Sequence, residues 1–160
     1  MKPIVYLICG LGGSGKSTYS QKLAENGMMK ISIDEYVYSL HGRSITKMPE
    51  HEYLEIYQKA RIELDNQLAE AIKQKHNIVI DFGFWTRKGR DYYKRLIEEN
   101  GGEWKLIYLK ASPEVLLRRL KERNKLTHAN AFPVSEEKLQ EYIARFEEPN
   151  DEGEEIILQS

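Results

Sequence analysis

The segment Gly10-Leu11-Gly12-Gly13-Ser14-Gly15-Lys16-Ser17-Thr18 constrains this chain more than any other. It follows an apolar run, Ile4 to Cys9, and opens a helical pattern from about Lys16 to Glu25, which Gly27 is placed to stop. Four more short apolar runs follow at Met29 to Ile33, Asn77 to Ile80, Leu106 to Leu109 and, more weakly, Ile156 to Leu158, each separated by helical patterns. Such alternation predicts an α/β fold of three layers, a five-stranded parallel sheet with helices on both faces.

The intervening helices carry their own punctuation. Between Tyr53 and Lys75, residues Tyr57, Ala60, Leu64, Leu68, Ala71 and Ile72 recur at spacings of three and four, the pattern of an amphipathic helix packed on a sheet. Thr86 is placed as the N-cap of a helix ending at Gly101-Gly102, and Ser112-Pro113 starts another. Ser135 opens the last helix, with Pro149 expected to close it. The stretch from Asn124 to Val134 has no periodicity and reads as a surface loop or a lid; the basic helix before it favours a lid over 118–134. The acidic run Glu147 to Glu155 reads as a solvated connection to the last strand.

A chain of 160 residues suits one domain, 1–160, with a core large enough to bury most of its apolar surface. The net charge of −1 gives no overall field to draw the molecule to nucleic acid or an anionic membrane, so any bound anion must be held locally. Cys9, the one cysteine, lies in an apolar run and has no partner for an intramolecular disulfide, which suits a reducing cytoplasm. The apolar start of the chain is far too short for a membrane span or a signal peptide, so neither export nor a membrane anchor is expected. Composition carries no signal for the oligomeric state.

The glycine-rich segment matches G-x-x-x-x-G-K-[ST] at every fixed position, and its strand-then-helix context is what that pattern requires. Glycines let the loop curl so that successive backbone N–H groups point inward at phosphates, with the positive end of the helix dipole behind them. Gly12, Gly13, Ser14, Gly15, Lys16, Ser17 and Thr18 are therefore the expected ATP phosphate site in a P-loop nucleoside triphosphate hydrolase fold. Lys16 would reach the β- and γ-phosphates and the Ser17 hydroxyl would ligate Mg²⁺. Asn77-Ile78-Val79-Ile80-Asp81 is an apolar strand ending in an acid; Asp81 reads as a second Mg²⁺ ligand or as an acid capping the next turn. Asp81-Phe82-Gly83 spells a protein-kinase triplet by coincidence, since the chain is too short for that fold and lacks its catalytic-loop motif. The guanine-reading N-K-x-D element is missing too, because Thr127 follows Asn124-Lys125-Leu126.

Phosphate transfer also needs a base, and Asp34 follows the strand Lys30 to Ile33 to the sheet edge that carries the loop. There it can take the proton of an attacking hydroxyl, or merely cap the next helix. Tyr36, Tyr38, Phe82, Phe84 and Trp85 flank the two acids and would form stacking walls for a ring or pack over the sheet edge.

With the loop, the strand before Asp34-Glu35 and the strand-borne Asp81, the chain resembles the small P-loop kinases that include chloramphenicol phosphotransferase, zeta toxins and polynucleotide 5′-hydroxyl kinases. Residues 78–85 and 132–135 resemble, more closely, a group of bacterial ATP-binding proteins without an assigned substrate. The kinase resemblance implies Lys16 and Ser17 on ATP and Mg²⁺, Asp34 as general base, and Arg119 and Arg123 as lid arginines, which share a helix face at a spacing of four. A solvated helix face is the alternative for that arginine pair. No counterpart appears of the arginine that polynucleotide kinases carry shortly after the base, Arg43 being nine positions away, and the acceptor-sugar signature of zeta toxins is missing. The expected activity is transfer of the ATP γ-phosphate to a hydroxyl of a small molecule such as a sugar, nucleoside or antibiotic. A 5′-hydroxyl polynucleotide is the second expectation, on the basic clusters Arg87, Lys88, Arg90, Lys94, Arg95 and Arg118, Arg119, Lys121, Arg123, Lys125, which acids dilute. An acceptor-free ATPase or nucleotide-dependent regulator is the third.

Overall fold

The computed structural model describes residues 1–123, 125 and 134–160. Its elements are β1 (Ile4–Cys9), α1 (Lys16–Glu25), β2 (Met29–Ser32), α2 (Ile33–His41), a 3₁₀ turn (Gly42–Lys47), α3 (Glu50–Lys73), β3 (Ile78–Gly83), α4 (Arg87–Glu99), β4 (Glu103–Lys110), α5 (Pro113–Arg123), α6 (Glu136–Arg145) and β5 (Glu154–Leu158). All strand pairs are parallel, in the order β2-β3-β1-β4-β5. The chain therefore moves outward from β1 to one side and returns across it to the other, which opens a crevice at the carboxyl ends of β1 and β3.

Side-chain alternation along each strand divides the core between two faces. Val5, Leu7 and Cys9 of β1, Ile78 and Ile80 of β3, and Leu106 and Tyr108 of β4 pack with Ala60, Leu64, Leu68 and Ile72 of α3 and with Tyr93 and Ile97 of α4. Ile8, Val79, Ile107 and Leu109 point to the other face, against Tyr19 and Leu23 of α1. Leu68 has no water-accessible surface, and its truncation to alanine would cost about 2–5 kcal/mol.

The caps fall at the expected hydroxyls. Thr86 Oγ1 accepts from the N–H of Gly89 at 3.0 Å, Ser112 Oγ from Val115 at 3.3 Å and Ser135 Oγ from Lys138 at 3.1 Å. Four local expectations need correction. β2 stops at Ser32, whose hydroxyl accepts from the Glu35 N–H at 3.3 Å, so Ser32 caps α2 and Asp34 lies within its first turn. β3 continues through Asp81 to Gly83, because Asp81 is still paired in register with Ser32. Pro149 does not close α6, which ends at Arg145 when Phe146 turns extended and stacks near Tyr108, with ring centroids 5.8 Å apart.

The fourth correction is the largest. The acidic run is not simply a solvated connection, since Glu152 is buried and its carboxylate accepts two hydrogen bonds, 2.8 and 2.9 Å, from the Arg90 guanidinium. Arg90, counted above among surface charges, has no exposed surface. Its third bond, 2.7 Å, goes to the Phe84 carbonyl just past β3. Lys94 donates to the Glu152 carbonyl at 2.7 Å and lies 4.4 Å from the Trp104 ring centroid, so two cations of the α4 cluster serve the fold.

Candidate functional site

The glycine-rich loop packs against the end of β3 and against α5. The Gly10 N–H donates to the Gly83 carbonyl at 3.2 Å, tying the loop to the end of β3. Gly13 has φ +89°, and a Cβ there would meet the Leu116 carbonyl at 3.1 Å. Gly15, at φ +97°, caps α1 with no side-chain hydrogen bond, and the first turn of α1 holds no acid. The amino end of α1 therefore presents unpaired N–H groups and the helix dipole to an anion. Ser14 is buried behind the loop, where its Oγ would meet a Cβ at Gly10, so only glycine fits there. These features fit a polyphosphate.

Two cavities meet at this loop. The first, about 470 Å³, is bounded by Gly12, Asp34, Tyr57, Asp81, Trp85 and Tyr142. The second, about 580 Å³, lies over Gly13, Gly15, Thr18, Tyr19, Arg119 and Gln159. Lys16, Ser17 and Arg123 line both. The boundary between the cavities thus consists of Lys16 and Ser17 from the amino end of α1 and Arg123 from the end of α5.

The two acids differ in environment. Asp81 is buried, and burial pushes its carboxyl above the usual carboxylate range; the Lys16 ammonium opposes that shift and Asp34 adds to it. Such a carboxylate gains from a divalent cation, and Ser17, lining the same cavity, supplies the neighbouring oxygen. Asp34 is exposed in the same cavity, and its Oδ1 accepts from the Tyr57 hydroxyl at 2.9 Å. That bond turns one oxygen toward α3 and leaves Oδ2 for a ligand.

Arg119 and Arg123 share the face of α5 turned to the loop. Arg119 donates to the Gly13 carbonyl and to Gln159 Oε1, both at 3.3 Å, so it bridges the loop to the chain after β5. Arg123 lies against Gly12 with its Nε buried and unpartnered among the described residues. Burial lowers its pKa, while Asp34 and Asp81 act in the opposite direction. A bound anion would supply the missing partner. The proposed lid, 118–134, falls outside the described residues at 124 and 126–133.

Of the aromatic residues expected as walls, Phe82 and Trp85 line the first cavity, Phe84 and Tyr36 pack with the core, and Tyr38 lines neither cavity. Sequence reasoning missed Tyr57 and Arg61 on α3 and Tyr142 on α6, which packs at a tilt against Trp85 with ring centroids 4.9 Å apart. The spacing of four between Tyr57 and Arg61 was the available signal, but that stripe reads as a core-facing helix.

A parallel sheet with a phosphate cradle at the topological switch point and two cavities meeting there defines a kinase-like P-loop protein. The chain belongs to the AAA domain family, whose profile matches residues 5–149. It is 38% identical over 114 residues to a shikimate kinase of Chlorobium limicola, a match covering 71% of this chain and 53% of that protein, so the chain spans about half of that relative. In fold it is similar to a gluconokinase from Sinorhizobium meliloti, with TM-score 0.63 and 19% identity over 98% of this chain and 82% of that one. It is also similar to a chain of the Pnkp1/Rnl/Hen1 RNA repair complex, with TM-score 0.72 and 16% identity over 90% of this chain and 44% of that one.

Proposed function

We propose that the protein transfers the γ-phosphate of ATP to a hydroxyl group of a small molecule. The observation that carries this reading is the pair of cavities meeting at Lys16, Ser17 and Arg123, with Asp34 on the side away from Thr18 and Arg119. A nucleotide switch or a simple ATPase needs only the second cavity. ATP would lie there with its phosphates on the loop, so that its γ-phosphate reaches the boundary. Kinase names among the relatives support the same class of reaction.

In this scheme the acceptor hydroxyl gives its proton to Asp34 Oδ2 as its oxygen bonds to the γ-phosphorus. The bond from that phosphorus to the bridging oxygen breaks, and ADP leaves with the electron pair. Lys16 and Arg123 stabilise charge on the transferring group, and Tyr57 keeps Asp34 oriented. Ser17 and Asp81 would hold Mg²⁺, which when bound neutralises phosphate charge.

The polynucleotide reading is weaker on one specific count. Arg90 is buried and Lys94 is pinned to Glu152, so the α4 cluster offers less free charge for a backbone than its sequence suggests. No helix among the described residues is long and apolar enough to cross a membrane. The test is transfer of label from γ-labelled ATP to a panel of hydroxyl compounds and a 5′-hydroxyl oligonucleotide. Label on a small molecule is expected; label only on the oligonucleotide, or only on inorganic phosphate, would replace this reading with one of the other two.

A further inference from the structure

The turn that carries Trp85 into the first cavity is strained. Gly83 and Phe84 have φ of +83° and +53°, and Phe84 has a Cβ to accommodate there. A bulky residue keeps that left-handed conformation only where its surroundings over-determine it. The buried Phe84 ring packs against Phe82 and Tyr93, with centroids 5.9 and 5.4 Å away. Its carbonyl accepts two hydrogen bonds, from Arg90 Nη1 at 2.7 Å and from the Cys9 thiol at 3.3 Å. Burial pushes that thiol up to about 12, so it is a neutral donor and the weaker of the two.

The strain is transmitted in one direction. Upstream, the Gly83 carbonyl is anchored to the phosphate loop by the Gly10 N–H at 3.2 Å. A Cβ on Gly83 would meet Trp85 Nε1 at 3.2 Å and Cδ1 at 3.3 Å, so the indole lies directly against the turn. Relaxation of Phe84 to an extended φ would therefore move Trp85 and leave the loop in place. Downstream, the Trp85 carbonyl accepts from the Glu147 N–H at 2.8 Å, and Glu147 Oε1 accepts from the Arg87 N–H at 3.1 Å. The same segment carries Glu152, which takes the other two bonds of Arg90 at 2.8 and 2.9 Å. One guanidinium thus holds the peptide units on both sides of Trp85. The charge pair is complete with Glu152 alone; the bond to Phe84 adds no counter-charge and fixes geometry.

We infer that Arg90 is a positioning residue for the acceptor: by holding the Phe84 carbonyl and the 147–152 segment, it keeps Trp85, with Tyr142 against it, as a fixed wall of the first cavity. This deepens the proposed kinase function and rests on the first cavity being the acceptor site. Arg90 has no exposed surface and touches no ligand, so its effect falls on acceptor binding and not on the nucleotide.

The test separates position from stability. Arg90→Met/Glu152→Leu removes both buried charges together, which keeps most of the stability of the fold but leaves the Phe84 carbonyl with the thiol alone. Leu68→Ala is the counterpart, destabilised at a buried position that lines neither cavity. Both are made in a Trp104→Phe background, where the half-buried Trp85 is the remaining tryptophan and its fluorescence reports its own surroundings. Loss of a charge-assisted bond shifts a two-state turn by about tenfold or more, so well below melting the double variant should emit at longer wavelength and be quenched by acrylamide about two-fold or more strongly. Leu68→Ala should leave both values at those of the background. With a compound that takes label from γ-labelled ATP, the double variant should raise the acceptor KM about tenfold or more and keep the ATP KM within about two-fold. An unchanged Trp85 signal in the double variant, an equal change in Leu68→Ala, an unmoved acceptor KM, or an ATP KM that rises with it would each overturn the inference. The fluorescence decides it even where no compound takes label, an outcome that overturns the kinase proposal alone.

Discussion

Glu152→Gln tests how the rim of the site is held. The Glu152 carboxylate accepts two bonds from Arg90, at 2.8 and 2.9 Å, and one from the Asn150 N–H at 3.3 Å. Burial alone would raise its pKa, but the bonds and charge of Arg90 outweigh burial and hold the carboxyl below the usual glutamate range. A neutral amide offers one acceptor in place of two and leaves the Arg90 charge buried without a counter-ion. Breaking a buried pair on one side costs about 3–5 kcal/mol, and because Glu152 lies in a surface segment that can admit water, the lower end applies, ~3 kcal/mol. For a chain of this size each kcal/mol moves Tm by roughly 2–4 °C, so the variant should melt roughly 6–12 °C below wild type. Thermal unfolding followed by circular dichroism at pH 7 measures this. The double variant Arg90→Met/Glu152→Leu removes both charges and should recover most of the loss. The pH dependence has a defined sign: a lowered folded-state pKa stabilises fully above the unfolded value near 4.5 and ceases to do so as pH falls through the folded one. Wild type should therefore lose this advantage over Glu152→Gln in acid. A Tm drop below about 2 °C at pH 7, or a double variant that loses the sum of the two singles, would refute the argument.

Three predictions address the chemistry. Lys16→Ala should remove most ATP turnover while leaving Tm near wild type, because the lysine lines open cavities rather than the core; full turnover would exclude a phosphate contact. Asp34→Asn should slow transfer by about 10²-fold or more with ATP affinity changed only a few-fold, whereas Asp81→Asn should weaken Mg²⁺-dependent nucleotide binding; the reverse pattern would exchange the two roles. Arg123→Ala should lower turnover by about 10²-fold, and Arg119→Ala should raise the ATP KM as well, because Arg119 braces Gly13; if both stay within two-fold of wild type at saturating Mg²⁺, α5 carries only solvated charge.

What the sequence determined by itself is what depends on neighbours along the chain. The glycines and Lys16 define a phosphate cradle through backbone conformation and the dipole of the helix they open, and alternating apolar runs specify parallel strands without further information. Thr86, Ser112 and Ser135 could be read as caps because each bonds an amide three residues away. The α3 wall of the first cavity was not legible. Tyr57 reaches Asp34 across 23 positions, and α3 reads as a helix buried on one face whether or not its first turns border a cavity. Arg90 and Glu152 lie 62 residues apart in segments that each look solvated, and only packing α4 against the chain before β5 removes both from water. Tertiary structure decided those positions because burial and pairing of charge depend on which distant segments meet, and the hydrophobic pattern that brings the segments together does not encode the polar contacts made where they touch.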